Sequence, residues 1–581
     1  MQFLYRYIKK YWQQFFIAVV FVTLETLCDL LQPTIMSQII DVGVAGRQMD
    51  YILRMGGLML FVTAVGALAA SSRNIISSTV SQNFGTELRA DLYRKIQSLS
   101  FANMDKLDRA SLVTRLTNDV TQVQLLVNGL MRIFLKAPLL CIGGLIMAIH
   151  LNSRLAVVLA VVVPVVGVLI AINIKIGFPL FIKVQNALDQ VNSVMREYLS
   201  GIRVVRAFNR FDYEVAKFEK TNKEYQSRSV TAMRVLAAFS PSVALTVNFG
   251  IVAVLWLGGL GVNSGQIQVG HIIAFTNYMT QILFALMIIF LVFNMFVRAR
   301  ASAGRIGEVF LQDNGMKWEM DVEPDNGLTG RIDFENVFFT YEGAASDAVI
   351  KNINLTCMPG ETVGIIGSTG AGKSSLVGLI PRFYDVTAGS VKVNGEDVKN
   401  INPRRLREKI AVVPQKTLLF TGTISDNLRW GKEDASQQEI EAAAKIAAAH
   451  NFIMAFPEGY QTRLGQGGVN LSGGQKQRIS IARALVRKPA ILIMDDCTSA
   501  VDVVTETKIR ESLKKYVDNL TCLIIAQRIT SVMDADKIVV LDNGEIIGIG
   551  THEELMKSCA VYQEIFQSQM GKETQTYVSA K

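Results

Sequence analysis

Six long apolar runs occupy the first half of the chain, at Phe15–Ile40, Leu53–Ile76, Ile133–Leu151, Leu155–Ile174, Ala237–Val262 and His271–Val297. Each reaches the ~20 residues that a helix needs to cross ~30 Å of hydrocarbon. The pattern therefore predicts six transmembrane helices. The connections between them alternate in length. Those near 41–52, 152–154 and 263–268 are short, whereas 77–132 and 175–236 are long, polar, helix-forming and poor in Gly and Pro. Arg89, Arg94, Lys95, Lys106, Arg109 and Arg115 crowd the first long connection; Lys175, Lys183, Arg196, Arg203, Arg206 and Arg210 crowd the second. Positive charge favours the cytoplasmic side, which places both long connections, the N-terminus and everything after Val297 there. Membrane helices with long cytoplasmic extensions follow. The first apolar run is too long for a cleaved leader and has no small-residue cleavage site. It is expected to be a retained span behind a short amphipathic anchor.

The pattern changes after the last span. A polar stretch at 311–329 contains Asp313, Pro324 and Asn326, and β-rich runs then alternate with helical ones. The β-rich runs are Val337–Phe339, Thr362–Ile366, Ile410–Val413, Ile491–Met494, Cys522–Ala526 and Lys537–Leu541. Such alternation predicts an α/β fold on a largely parallel sheet. The expected organisation is an all-α membrane domain over 1–310, a linker over 311–329 and an α/β domain over 330–581.

Composition sharpens this picture. A mean hydropathy of +0.29 is high for a soluble enzyme, and the apolar excess lies before residue 300. The net charge of +9 resides in loops between apolar segments rather than in a basic run with interleaved aromatics, so nucleic acid is not an expected partner. The six cysteines are widely spaced with no C-x-x-C, which indicates neither a zinc site nor a disulfide framework.

The candidate chemistry begins with Gly367-Ser368-Thr369-Gly370-Ala371-Gly372-Lys373-Ser374. It follows a β-branched run and precedes a helix-forming run, Lys373 to Ile380, that Pro381 stops. This is the context in which backbone N–H groups close around phosphate oxygens. Lys373 would reach the β/γ-phosphates of ATP and Ser374 would hold Mg²⁺. Asp495, at the end of the apolar run Ile491–Met494, suits the same metal from the opposite side. Leu471-Ser472-Gly473-Gly474-Gln475 then opens a second helix with a phosphate-facing start, although one nucleotide already has its cradle.

Here the chain resembles the ABC exporters, in which this signature contacts the ATP held by the opposite subunit. The resemblance covers essentially the whole chain: six spans followed by one nucleotide-binding domain of ABC type, the half-transporter arrangement. It implies an adenine-stacking role for Tyr341, nucleotide contacts for Ser375, and a metal-binding Q-loop role for Gln415. It also makes Ser499-Ala500-Val501-Asp502 the D-loop. Arg115–Asp119 and Arg196–Ile202 look like exporter coupling segments. The implied setting is a multi-pass protein of the cell membrane that contacts membrane lipids.

Two positions depart from the family pattern. Asp496 stands where a Glu polarises the attacking water, and Gln527 stands where a switch His is usual. Asp is one methylene shorter, and a misplacement of ~1 Å can cost ~10²-fold in rate. None of His150, His271, His450 and His552 substitutes by position. Thr462–Gly468 also lacks the acidic pattern usual before the signature. The expectation is a degenerate ATP site in a heterodimeric multidrug-type exporter. The partner half-transporter would supply an intact Glu and His, while Leu471–Gln475 completes the partner's competent site, where most hydrolysis occurs. A homodimeric lipid flippase and an ATP-gated channel or regulatory subunit are the alternatives. Glu25 and Asp29 share one face of the first span, where an unpaired carboxylate costs about 2.5–3.5 kcal/mol. They either line a cavity for small cationic amphiphiles or meet a basic group such as Arg73. Phe275, Tyr278, Met279, Phe284 and Met287 of the last span are candidates for an apolar wall, or for simple packing.

Overall fold

The computed structural model describes residues 2–313, 330–341, 348–516 and 520–578. The chain forms two compact units: Met1–Gln97 with Arg109–Gln312, and Ser98–Asp108 with Asp313–Lys581. The expected linker at 311–329 falls almost wholly outside the described residues.

The first unit is helical: α1 (Gln2–Gln38), α2 (Met49–Ser98), α4 (Arg109–Thr114), α5 (Val120–Gly129), α6 (Lys136–Leu151), α7 (Ser153–Ser200), α9 (Phe211–Asn263) and α10 (Val269–Leu311). Two very short helices, α3 (Phe101–Lys106) and α8 (Ile202–Ala207), sit in the long connections. Among the described residues, six helical segments are long and apolar enough to cross a membrane. In hydrocarbon no water serves backbone N–H and C=O groups, so these runs must be helical. The long connections carry few Gly or Pro, so the membrane helices run on into them, and α7 stops only at Gly201. The 50 residues of α2 span about 75 Å, more than twice the hydrocarbon thickness.

The segment expected as an N-terminal anchor is continuous with the first span. Residues 2–38 form one helix, and its first turns are tied to α2 by Tyr7 on Asp91 at 2.6 Å, Tyr11 on Glu87 at 2.9 Å and the Lys10–Glu87 ion pair. Tyr7, Lys10 and Tyr11 thus find polar partners on α2, while Tyr5, Ile8 and Trp12 of the same turns stay exposed. The helical stretch leading into the third span is interrupted by π-helical turns at Arg115–Asp119 and Leu130–Phe134. The first of these turns buries Asp119 against α10, where Ser302 donates to it at 2.8 Å and Arg305 pairs with it. Arg115 pairs with Glu308 at 2.9 Å. This candidate coupling segment thus packs within the membrane unit. The stretch of the long connection that belongs to the other unit is Ser98–Asp108, where the Phe101 ring lies 4.7 Å from Phe383 and Tyr384 donates to Asp105 at 2.7 Å.

The second unit contains β1 (Ile332–Phe339), β2 (Ile350–Cys357), β3 (Thr362–Gly367), α11 (Lys373–Gly378), β4 (Ala388–Val393), β5 (Glu396–Asp397), α12 (Pro403–Glu408) and β6 (Ile410–Val413). A helical stretch follows: β7 (Gly422–Thr423), α13 (Ile424–Arg429), α14 (Gln437–Ile446), α15 (His450–Met454), β8 (Arg463–Leu464) and α16 (Gly473–Val486). It closes with β9 (Ile491–Asp495), α17 (Val503–Tyr516), β10 (Thr521–Ile525), β11 (Lys537–Asp542), β12 (Glu545–Gly550), α18 (His552–Ser558) and α19 (Ala560–Val578). The main sheet has the order β12-β11-β3-β10-β9-β6 and is parallel except for β12. Its inner strands are nearly continuous apolar runs because both faces are covered, one by helices and the other by the antiparallel sheet together with α11. The run at Val337–Phe339 is not part of it. That run belongs to a second, antiparallel sheet ordered β2-β1-β4-β5, whose half-exposed strands carry weaker apolar patterns.

At the junction of the first and last spans, the Gly270 N–H donates to Asp41 at 2.6 Å, and Ser37 donates to the same carboxylate at 2.9 Å. A Cβ on Gly270 would lie 2.5 Å from both the Ser37 carbonyl oxygen and Asp41 Oδ2. Helix propensity alone favours Ala over Gly by up to ~1 kcal/mol, but overpacking against a backbone oxygen costs ~1–3 kcal/mol. Gly270→Ala should therefore lower the unfolding temperature in detergent; a rise would show that the two spans separate freely there.

Candidate functional site

The phosphate loop is the turn between β3 and α11. Gly370 (φ +87°) and Gly372 (φ +93°) occupy the left-handed region, which only Gly enters without strain. A Cβ on Gly367 would lie 1.9 Å from the Leu541 carbonyl of neighbouring β11. Helix α11 ends at Gly378 rather than running to Ile380; the next residues tighten into three-residue turns before Pro381. Ala371 is buried beneath the loop, Thr369 lies at its tip, and Ser368 donates to Asp542 at 3.2 Å. Lys373 curls over the loop and donates to the Gly367 and Ser368 carbonyls at 2.8 and 2.7 Å. Burial lowers its pKa, opposed by Asp496 and Asp495. Tyr341 shares a 2.9 Å hydrogen bond with Ser375, and its ring stands edge-on to Phe339 and Tyr384.

Ser374 donates to Asp495 at 2.9 Å. A hydroxyl and a carboxylate held together are the hard oxygen ligands that suit Mg²⁺. Burial raises the pKa of Asp495, and so does its neighbour Asp496. A cation would relieve this confinement of negative charge, so the residues fit the group. Mg²⁺ at Ser374 and Asp495 would neutralise phosphate charge, with Lys373 holding the phosphates.

Gln415 joins a different carboxylate. It donates to Asp496 Oδ2 at 3.0 Å, and Gln527 donates to the same oxygen at 2.8 Å. Asp496 itself is held in the left-handed region, at φ +46°. One oxygen of the carboxylate in the water-activating position is therefore the acceptor of two amide donors, and neither amide can take up a proton at neutral pH.

The signature helix is capped by a reciprocal pair: Gln475 N–H donates to the Ser472 hydroxyl at 3.3 Å and Ser472 N–H to the Gln475 side chain at 2.9 Å. Leu471 is buried beneath this start. Gly474 is required by packing, because a Cβ would lie 2.8 Å from the Ala500 carbonyl; one on Gly473 would meet the Ala500 side chain at 3.4 Å. Sequence reasoning missed Gln477, which accepts from Ala500 N–H at 3.0 Å and donates to Ser499 at 3.3 Å, tying the D-loop to the signature helix. Its place one turn after the two glycines was the available signal.

In the membrane unit, Glu25 is 6 % exposed. It pairs with Arg73 at 2.6 Å and Lys136 at 2.5 Å, and Lys136 also reaches Asp29 at 3.0 Å. Glu25 thus ties three spans together and does not serve as an open wall, because its charge is already matched. Asp29, with a third of its side chain exposed, is the more accessible member. Phe275, Tyr278 and Met279 are fully packed, and Tyr278 donates to the Leu30 carbonyl at 2.7 Å; Phe284 and Met287 remain exposed.

Comparison with known proteins adds to this geometry. The family description "ABC transporter transmembrane region" matches residues 15–287, and "ABC transporter" matches residues 350–499. An uncharacterised ABC transporter ATP-binding protein, YfiB of Bacillus subtilis, is 41% identical over 557 residues, covering 96% of both chains. YgaD of the same organism, provisionally named a multidrug export ATP-binding/permease protein, is 32% identical over 97% of this chain and 98% of its own. A solved bacterial Atm1-family ABC exporter with ATP bound superposes with a TM-score of 0.80, at 24% identity, over 96% of this chain and 98% of that one.

The raised pKa of Asp495 has a sign that can be measured. An acid whose folded pKa exceeds its unfolded value favours folding at low pH and loses that contribution as pH rises through the folded value. Asp495→Asn should therefore raise the unfolding temperature of the nucleotide-free protein at pH 7 while weakening its Mg²⁺-dependent stabilisation by ATP. A lower unfolding temperature in a pH series from 5 to 8 would contradict the assignment.

Proposed function

The chain belongs to the ABC transporters, as an exporter half-transporter with its membrane and nucleotide-binding regions in one polypeptide, and we propose that it works as the degenerate-site subunit of a heterodimer. The observation that carries this reading is the double amide contact on Asp496 from Gln415 and Gln527. A general base needs a free lone pair within reach of the attacking water, and a second group to share the proton. A shortened carboxylate whose Oδ2 is occupied by two amides meets water only through Oδ1, and neither amide can share the proton. The phosphate loop, Ser374 and Asp495 retain what ATP and Mg²⁺ binding require. ATP at this chain's own site acts as a clamp that favours the closed state through differential affinity. The intact Leu471–Gln475 signature completes the partner's competent site, where the partner's Glu and His carry hydrolysis.

Export of amphiphiles of the multidrug type from the cell membrane is the reading that fits the membrane unit, in keeping with the name of the YgaD relative. A cationic amphiphile would compete with Lys136 for Asp29, the accessible end of the charge network. The pair Glu25–Arg73 keeps the spans in place during that exchange.

ATP turnover of the chain purified alone should be at least ~10-fold below that of the chain with its copurifying partner, since general acid–base catalysis contributes ~10²–10⁴-fold. Asp496→Glu combined with Gln527→His should raise turnover of the chain alone by ~10-fold or more. Equal turnover of the single chain and the pair would instead favour a homodimer such as a lipid flippase.

In proteoliposomes, Asp29→Asn should reduce transport of a cationic dye at least ~3-fold more than that of a neutral dye, with basal ATP turnover unchanged. Equal losses for both dyes would assign Asp29 to structure alone.

A further inference from the structure

Two turns beyond Tyr562, the C-terminal helix α19 reaches back to the segment that follows β10. Gln569 donates through its amide nitrogen to the Gln527 carbonyl at 2.8 Å, and its amide oxygen accepts from the Ile529 N–H at 2.8 Å. One side-chain amide thus grips the backbone on both sides of Arg528. This is how a neighbouring strand would hold an extended residue, yet β10 has already ended at Ile525. The helix carrying Gln569 is itself anchored. Tyr562 is fully buried against Ala526, Ile529, Val532 and Leu555, with Ile565 and Phe566 packed alongside. Tyr562 also shares a 2.8 Å hydrogen bond with His552.

We propose that Gln569 is a positioning residue for the γ-phosphate side of the nucleotide site, acting through the backbone of Gln527. The path is continuous. Gln569 fixes the Gln527 carbonyl, and the Gln527 side chain donates to Asp496 at 2.8 Å. Asp496 follows Asp495, which accepts from Ser374 at 2.9 Å on the phosphate loop. The strand pairing sets how far residue 527 stands from the loop, because Ile525 is level with Ile365 on β3 and with Asp495 on β9. The ladder still holds Ala526, whose N–H donates to the Ile365 carbonyl at 3.3 Å, but it does not reach residues 527 and 528; there the two hydrogen bonds to Gln569 hold the backbone on either side of Arg528. Water could satisfy the same two backbone groups, but it would leave the direction of the Gln527 side chain free. The docking of α19 therefore bears on how the site distinguishes ATP from ADP. The inference depends on ATP binding at Lys373 and stands apart from the heterodimer reading.

The test is the ratio of ATP to ADP affinity, measured on the full-length protein in nanodiscs by displacement of a fluorescent ATP analogue. Gln569→Ala should lower the ATP:ADP preference by about threefold or more with ADP affinity unchanged. Gln569→Glu keeps the acceptor for Ile529 N–H but sets a carboxylate against the Gln527 carbonyl, so it should lower the ratio as well. In a Gln527→Ala background, where no side chain remains to be aimed, Gln569→Ala should have no further effect. An unchanged ratio, equal losses of ATP and ADP affinity, or the same loss in the Gln527→Ala background would each overturn the proposal. Should Gln569→Ala fail to fold, the Gln569→Glu protein with and without Gln527→Ala decides it by the same criteria.

Discussion

The nucleotide site depends on the in-register parallel pairing of three strands. β10 lies between β3 and β9, with Ile525 opposite both Ile365 and Asp495. The C-terminal ends of the strands are therefore level, and the residues just past those ends converge. These are the loop from Gly367, Asp496 after β9, and Gln527 after β10. Ligands of open α/β sheets sit at such strand ends because the backbone there is released from the ladder and side chains face a crevice. A register slip of one residue in β10 would turn Gln527 away from Asp496 and undo the shared contact on its carboxylate.

The membrane unit answers to a different constraint. Charge inside hydrocarbon persists only when it is matched, and the unit matches it by tying spans together. Glu25, Arg73, Lys136 and Asp29 connect three helices, and beyond the apolar runs Asp119 with Arg305 and Ser302 fastens the segment leading into the third span to the end of α10. The same pairings limit what these groups can do for a substrate. Glu25 is occupied, so any recognition of positive charge passes through the more exposed Asp29. The π-helical turn at Arg115–Asp119 belongs to this fastening, since it brings both Arg115 and Asp119 onto α10.

Within the nucleotide unit, close approach of backbones explains one glycine in each phosphate-facing motif. Gly367 leaves room for the Leu541 carbonyl and Gly474 for that of Ala500. The start of the D-loop is thereby seated on the signature helix, with Gln477 holding Ser499 and Ala500.

The sequence by itself determined the six spans, the long helical extensions and the strands of the parallel sheet. It did so because burial in lipid, or of a sheet on both its faces, forces long, uniform apolar runs, and these are readable one residue at a time. The phosphate loop, Asp495 and the signature were legible for a related reason: each needs particular residue types at fixed spacing. The antiparallel sheet escaped notice, since half-exposed strands such as β2 and β4 carry short, mixed patterns that resemble loops. Only the tertiary structure decided which partner each polar side chain takes. Gln415 lies 81 residues from Asp496, Arg73 lies 48 from Glu25, and Gln569 lies 42 from Gln527. Such pairs follow from strand register and helix packing, which no local pattern encodes, and so the fate of Asp496 and Gln527 was settled in three dimensions.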